Sequence, residues 1–170
     1  RGRLLLVCVC LWLAPAARGV DEPEAATRAP SFDLAYDVRL APTEGVAHVT
    51  IRIDDPAHEV LALVFRIDPE RQQNFRGDGE ISSAPNANTL EWQLPQGGGT
   101  LRYVVRIDHL RNAKSYDARF APNWAIFRGD DLVPPARLQT LTVGESRARL
   151  KLRLPQGWRA ATPYPRALDG

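Results

Sequence analysis

His48, His58 and His109 are the only imidazoles in the chain. A catalytic zinc ion needs three converging nitrogen, oxygen or sulfur ligands, often two histidines one helical turn apart. No helical pattern joins His48 to His58, and no His-Glu-x-x-His occurs, so the spacing does not spell a zinc site. "IDDPAHE" (53–59) offers Asp54 and Asp55 to a calcium ion, but it lacks the ligand density of a calcium loop, and a solvated turn is expected. A serine nucleophile wants a strained turn and a histidine base. There is no G-x-S-x-G, and Ser82, Ser83, Ser115 and Ser146 sit in polar, turn-like stretches. "PQGGGT" opens a strand rather than a helix and so does not form a phosphate cradle. Paired carboxylates for glycoside hydrolysis would sit on loops, and no pair stands out.

Two stretches share Phe-Arg-Gly-Asp: "NFRGDGE" (74–80) and "IFRGDDL" (126–132). Adhesion through Arg-Gly-Asp needs an exposed loop tip, and a bare tripeptide is weak support. Both are expected to be turns, the glycine allowing positive φ and the aspartate capping. The flanks of the two copies do not match, so no internal repeat follows.

The elements that would carry these residues read as strands. "SFDLAYDVRL" puts Phe32, Leu34, Tyr36, Val38 and Leu40 on one face, the period of a half-buried strand. Ala47, Val49, Ile51 and Ile53 repeat the pattern after the turn "PTEG". "EVLALVFRID" (59–68) is apolar on both faces, as a central strand would be. Leu90, Trp92 and Leu94 form another inward row. After a "PQGGG" loop (95–99), Leu101, Tyr103, Val105 and Ile107 form the next. In "ARLKLRLP", Ala148, Leu150, Leu152 and Leu154 are expected inside and Arg149, Lys151 and Arg153 outside. The result is an all-β fold, an antiparallel β-sandwich of about seven to nine strands. The segment 109–137 breaks the alternation and is rich in aromatics: Tyr116, Phe120, Trp124 and Phe127. Such a loop is expected to pack on a neighbouring surface.

The chain has 170 residues, 44% hydrophobic and 25% charged, a composition suited to one globular domain. The formal net charge of +2 gives no reason to expect a nucleic-acid partner. Nearly all the positive charge is arginine, with only Lys114 and Lys151 as lysines, and the arginines are scattered along the sequence. "RGRLLLVCVCLWLAPAARG" has a basic start, a short apolar run and Ala14-Pro15-Ala16, which together read as a secretory signal peptide. Cleavage after Ala16 removes Cys8 and Cys10, leaving no thiol, no disulfide and no membrane span. The expected organisation is a signal peptide at 1–16, a flexible lead-in at 17–30, the β-sandwich at 31–165 and a linker from 166 to 170. The chain holds no methionine and stops in "ATPYPRALDG". It is read as a piece of a longer exported protein, periplasmic or extracellular.

"YDVRL" (36–40), "LRYVVRID" (101–108), "YDARF" (116–120), "NWAIFRGDDLVPPAR" (123–137) and "KLRLPQGWRAATPY" (151–164) together carry a resemblance. They are similar to the N-terminal domain of glycyl-aminopeptidase-type metallopeptidases, metallopeptidase family sixty-one, over most of 32–165. The resemblance implies a β-sandwich that precedes a thermolysin-like domain holding the zinc. No zinc ligand or catalytic residue carries over to any position here, so this chain itself is expected to hold no cofactor and no catalytic residue. Its implied partners are the downstream catalytic domain of the same polypeptide and, for the parent enzyme, a peptide substrate. Tyr116, Phe120, Trp124 and Phe127 would then divide between core and docking surface. Asp130 and Asp131 would either face the cleft and hold a substrate's amino terminus or cap turns. The alternative is a freestanding secreted β-sandwich that binds peptide or carbohydrate, with Trp92, Trp124 and Trp158 as stacking surfaces and Trp92 leaning to the core.

Overall fold

The computed structural model describes residues 31–84, 88–143 and 145–166. The expected signal peptide, lead-in and residues 167–170 of the linker lie outside them. The described chain is nearly all β. Period-two alternation with one apolar face produces β1 (Ser31–Ala41), β2 (Val46–Asp55), β6 (Thr89–Gln93) and β7 (Gly97–Arg106). The run of apolar residues at 60–66 becomes β3 (Val60–Arg66), flanked by a strand on each side as its composition predicts.

One sheet has the order β12-β1-β2-β7-β4, where β4 is Gln72–Gly77 and β12 is Glu145–Arg153. A second has the order β11-β3-β6-β5, with β5 at Glu80–Ser82 and β11 at Ala136–Thr140. A third joins β10 (Trp124–Ile126), β9 (Ser115–Ala121) and β8 (His109–Asn112). A single helical turn, α1 (Gly129–Leu132), links β10 to β11. A single apolar cluster draws on all three sheets. Val38, Ile51, Leu101 and Val105 come from the first, Val60, Phe65, Leu90 and Trp92 from the second, and Ala118 and Phe120 from the third. Each fully buried aliphatic or aromatic side chain of this kind contributes about 1.5–3 kcal/mol by leaving water.

The structure corrects several expectations. There are twelve strands among the described residues, more than seven to nine. The extra ones are short strands in segments that show no alternation. Pairing is antiparallel except that β12 runs parallel to β1. Strand direction depends on how the intervening chain returns, and alternation does not encode it. Because β12 is an edge strand, its expected inner row is only partly covered. Ala148 and Leu150 are exposed, while Leu152 and Leu154 pack against the core.

The expected glycine loop at 95–99 is mostly strand. Gly97, Gly98 and Gly99 pair with Asp55, Asp54 and Ile53 of β2, and the turn closes from Gly98 N–H to Pro95 O at 3.1 Å. Gly98 has φ +103 and lies so close to the Ile53 carbonyl that a Cβ would overlap it. Asp55 is not in a solvated turn. It is fully buried, and its carboxylate accepts Glu59 N–H at 3.1 Å and Val60 N–H at 2.7 Å, closing the β2–β3 connection.

The β1–β12 seam carries a two-pronged ion pair. Arg153 Nε donates to Asp37 Oδ1 at 2.7 Å, and its Nη2 donates to Oδ2. That hydrogen bonding holds the Asp37 pKa below its ordinary value. Partial burial opposes the shift, and the charges of Arg153 and Lys151 add to it. A depressed folded pKa means the pair's contribution is complete above the unfolded aspartate pKa of about 3.9 and is lost as pH falls through the folded value. NMR titration of the Asp37 carboxyl carbon should give a midpoint below that of an ordinary aspartate. Arg153→Gln should move it back up, and the stabilities of the variant and parent should converge in acid.

Candidate functional site

The two Phe-Arg-Gly-Asp stretches fold differently. In the first, Phe75, Arg76 and Gly77 belong to β4, and Phe75 stacks on Tyr103 with ring centroids 4.7 Å apart. Neither Gly77 nor Gly129 has a positive φ; in the first stretch the positive φ values fall on Asn74 and Gly79. Gly77 is required because a Cβ would overlap the Thr100 carbonyl. Asp78 does cap: its carboxylate accepts Thr100 N–H at 2.9 Å. In the second, Arg128 precedes α1 and the triplet enters a helical turn.

That turn is anchored from below. Asp131 is buried, and its Oδ1 accepts from Arg71 Nη1 at 2.9 Å, with side-chain exposures of 1% and 9%. Asp131 Oδ2 accepts Arg128 N–H at 2.8 Å. Arg71 also donates to the carbonyls of Arg106 and Ile107, both at 3.4 Å. The Tyr103 hydroxyl donates to Leu132 O at 2.9 Å. Burial pushes the Tyr103 pKa up, so it remains a neutral donor. Both Asp131 oxygens are therefore engaged inside the protein, although the residue also lines the neighbouring depression. Asp130 differs: it is half exposed and lies 3.4 Å from Arg128 Nε.

Asp130 stands on the rim of a depression of about 420 Å³ lined by Arg66, Asp68, Arg71, Arg128, Pro134 and Pro135, among others. Arg66 makes no ion pair among the described residues. The cleft thus presents a half-exposed carboxylate, paired at the rim with Arg128, and the guanidinium of Arg66, unpaired among the described residues. These groups are suited to a small charged ligand and fall short of any acid–base or nucleophilic set. No three His, Cys, Asp or Glu side chains gather as a metal set among the described residues. His48 lies 3.0 Å from Glu44, His109 lies 3.5 Å from Asp117, and His58 sits in the β2–β3 connection.

The four aromatic residues singled out from sequence separate. Phe120 is core and meets Trp158 edge-on at 6.2 Å, and Phe127 is half-buried against the same cluster. Tyr116 and Trp124 are 48% and 47% exposed. Two aliphatic residues that drew no attention in the sequence join them on the three-stranded sheet: Leu110 at 54% and Ile126 at 65% exposure. Leu110 pairs with Tyr116, and the Arg119 guanidinium lies 4.5 Å over the Tyr116 ring. Ile126 pairs with Arg119 and Trp124 with Ala121, while Ala125 pairs with buried Phe120. Alternation therefore turns Trp124 and Ile126 outward. Trp92 is fully buried, its indole N–H donating to Asp78 O at 2.7 Å, so it offers no stacking surface.

The fold places the chain among all-β proteins. No family model matches it, and no curated protein matches it. Two solved structures of a GH20 exo-β-N-acetylglucosaminidase from Vibrio harveyi align with it, one an inactive mutant and one in complex with N-acetylglucosamine. Identities are 11% and 12% and TM-scores 0.33 and 0.32, over 81% of this chain and 20% of those chains. The chain thus spans about a fifth of their length, and similarity at this level carries no argument about fold or function.

Proposed function

We propose that this chain is a non-catalytic, N-terminal β-sandwich domain of an exported zinc aminopeptidase-like protein, bracing a downstream catalytic domain. The family resemblance of 32–165 supports this reading. The shared apolar cluster of the sheets fits a sandwich. The observation that carries the proposal is the outward apolar face of β8–β10: Leu110, Tyr116, Trp124 and Ile126. Side chains of this size left outside the core are the material of an interface with a neighbouring domain. The residues of this chain do not fit a zinc site, since no three ligands gather among those described. The metal belongs to the downstream domain in this reading. Asp130, on the rim of its cleft, is the carboxylate placed to meet the substrate side; Asp131 holds the corner rigid.

Exchange of backbone amides for deuterium in the full-length polypeptide tests the docking. Trp124→Ser combined with Ile126→Ser should speed exchange across 115–126 by about tenfold or more, since loss of about 1.4 kcal/mol of local protection is a factor of ten. Unchanged exchange would show that this face touches nothing and would remove the docking role.

A further inference from the structure

Eight arginines that look scattered in sequence gather on one surface. Residues paired across strands share a face, and successive residues alternate between faces. The register of the five-stranded sheet therefore collects Arg147, Arg149, Lys151 and Arg153 of β12 on its outer face, beside Asp33, Ala35, Asp37 and Arg39 of β1. The same face continues through Arg52 of β2 and Arg102 and Arg106 of β7, and ends at Arg76 of β4. Carboxylates on this face are Asp33, Asp37, Asp54 and Glu145. Three cations are matched by acids: Arg153 by Asp37, Arg147 by Asp33 and Arg39 by Glu44. Among the described residues, Arg52, Arg76, Arg102, Arg106, Arg149 and Lys151 have no ion-pair partner, and all are exposed.

The face also has a seat. A depression of about 540 Å³ is lined by the short side chains of Ala35 and Thr50, by Arg39, Arg52, Arg102 and Arg153, and by His48 and the Asp37 carboxylate that Arg153 neutralises. Thr50 pairs directly with Arg102 and Arg52 with Thr100, so the two unmatched arginines lie diagonally across the β2–β7 seam, and both line the depression with Thr50. Guanidinium forks suit the planar oxygen edges of sulfate, phosphate and carboxylate groups. Along β12 the cations recur every second residue, about 6.6–6.8 Å apart; β1, β2 and β4 add one arginine each and β7 adds two, four residues apart, with strands about 4.8 Å apart. That is a two-dimensional array of positive charge rather than one pocket.

We propose that the outer face of the five-stranded sheet binds a linear sulfated polysaccharide, seated over Thr50 by Arg52 and Arg102 and tracked by Arg149 and Lys151. Charge complementarity selects a polyanion, and what the face lacks selects the class. Among the described residues it carries no Phe, Tyr or Trp, and its one imidazole, His48, is engaged by Glu44 at 3.0 Å, so nucleobases have no broad stacking platform. The face is strand from edge to edge, with no helix or ribbon rising from it to enter a duplex groove. It carries no large apolar side chain to sink into a bilayer. A polymer read through its charged groups alone fits what remains. The proposal is independent of the docking face on β8–β10.

The test uses the full chain with heparin as the sulfated probe, in parallel with an oligodeoxythymidine and phosphatidylserine vesicles. Wild type should bind heparin with an affinity that falls steeply with salt and exceeds that for the other two probes. Arg52→Gln with Arg102→Gln should weaken heparin binding about tenfold, and Arg149→Gln with Lys151→Gln should do so by a smaller factor. Arg111→Gln with Arg159→Gln removes the same net charge elsewhere and should change affinity less than twofold. All three pairs alter exposed side chains, and circular dichroism would verify that each variant folds. No heparin binding by wild type, equal loss in all three pairs, or tighter binding to the oligonucleotide or the vesicles would overturn the proposal.

Discussion

Asp131→Ala should lower the unfolding free energy by about 3–5 kcal/mol, the cost of leaving a buried guanidinium without its counter-charge. Arg71 is nearly inaccessible, and its remaining acceptors are two backbone carbonyls at 3.4 Å. The same substitution frees Arg128 N–H from its 2.8 Å acceptor, adding a lost cap of about 1 kcal/mol. For a domain of this size the melting temperature should fall by about 10–15 °C. Replacing both partners, Arg71→Met with Asp131→Leu, should be less damaging than Asp131→Ala alone, because no charge is then stranded. A double variant as unstable as the sum of its two single variants would mean that the pair is not coupled. Asp130→Ala, one residue away, should leave stability nearly unchanged, since exposed pairs contribute little. The contrast between adjacent aspartates follows from burial alone.

Trp92→Ala should cost about 3–5 kcal/mol. Trp92 is the largest fully buried side chain of the core and sits in β6 between β3 and β5, opposite Leu63 and Ile81. Truncation opens a cavity where the sheets meet and also leaves the Asp78 carbonyl without its 2.7 Å donor. Trp92→Phe retains most of the apolar contact and loses the indole N–H, so it should cost about 1–3 kcal/mol. Denaturant unfolding of the two variants separates packing from hydrogen bonding. Equal costs would show that the hydrogen bond, not the cavity, dominates.

The long strands were legible because one buried face imposes alternation on every second residue, as Ala47, Val49, Ile51 and Ile53 show. β5 and β10, with three residues each, and β11, exposed throughout, have too few buried positions to leave a period. The partner of Asp131 was not legible because Arg71 lies 60 residues earlier, and nothing local distinguishes a buried aspartate from its exposed neighbour. The docking candidates were half legible. Tyr116 and Trp124 stood out as aromatics, but Leu110 and Ile126 look ordinary until the pairing of β8–β10 turns them outward. The basic face was not legible at all, since its arginines come from five strands and only the register aligns them.

The most direct measurement is the metal content and aminopeptidase activity of the product encoded when the reading frame is followed beyond Gly170. The expected result is bound zinc, release of amino-terminal residues from peptides, and loss of both on chelation. A product with neither zinc nor aminopeptidase activity would contradict the assignment to a zinc aminopeptidase-like protein and leave the chain as a binding module in its own right.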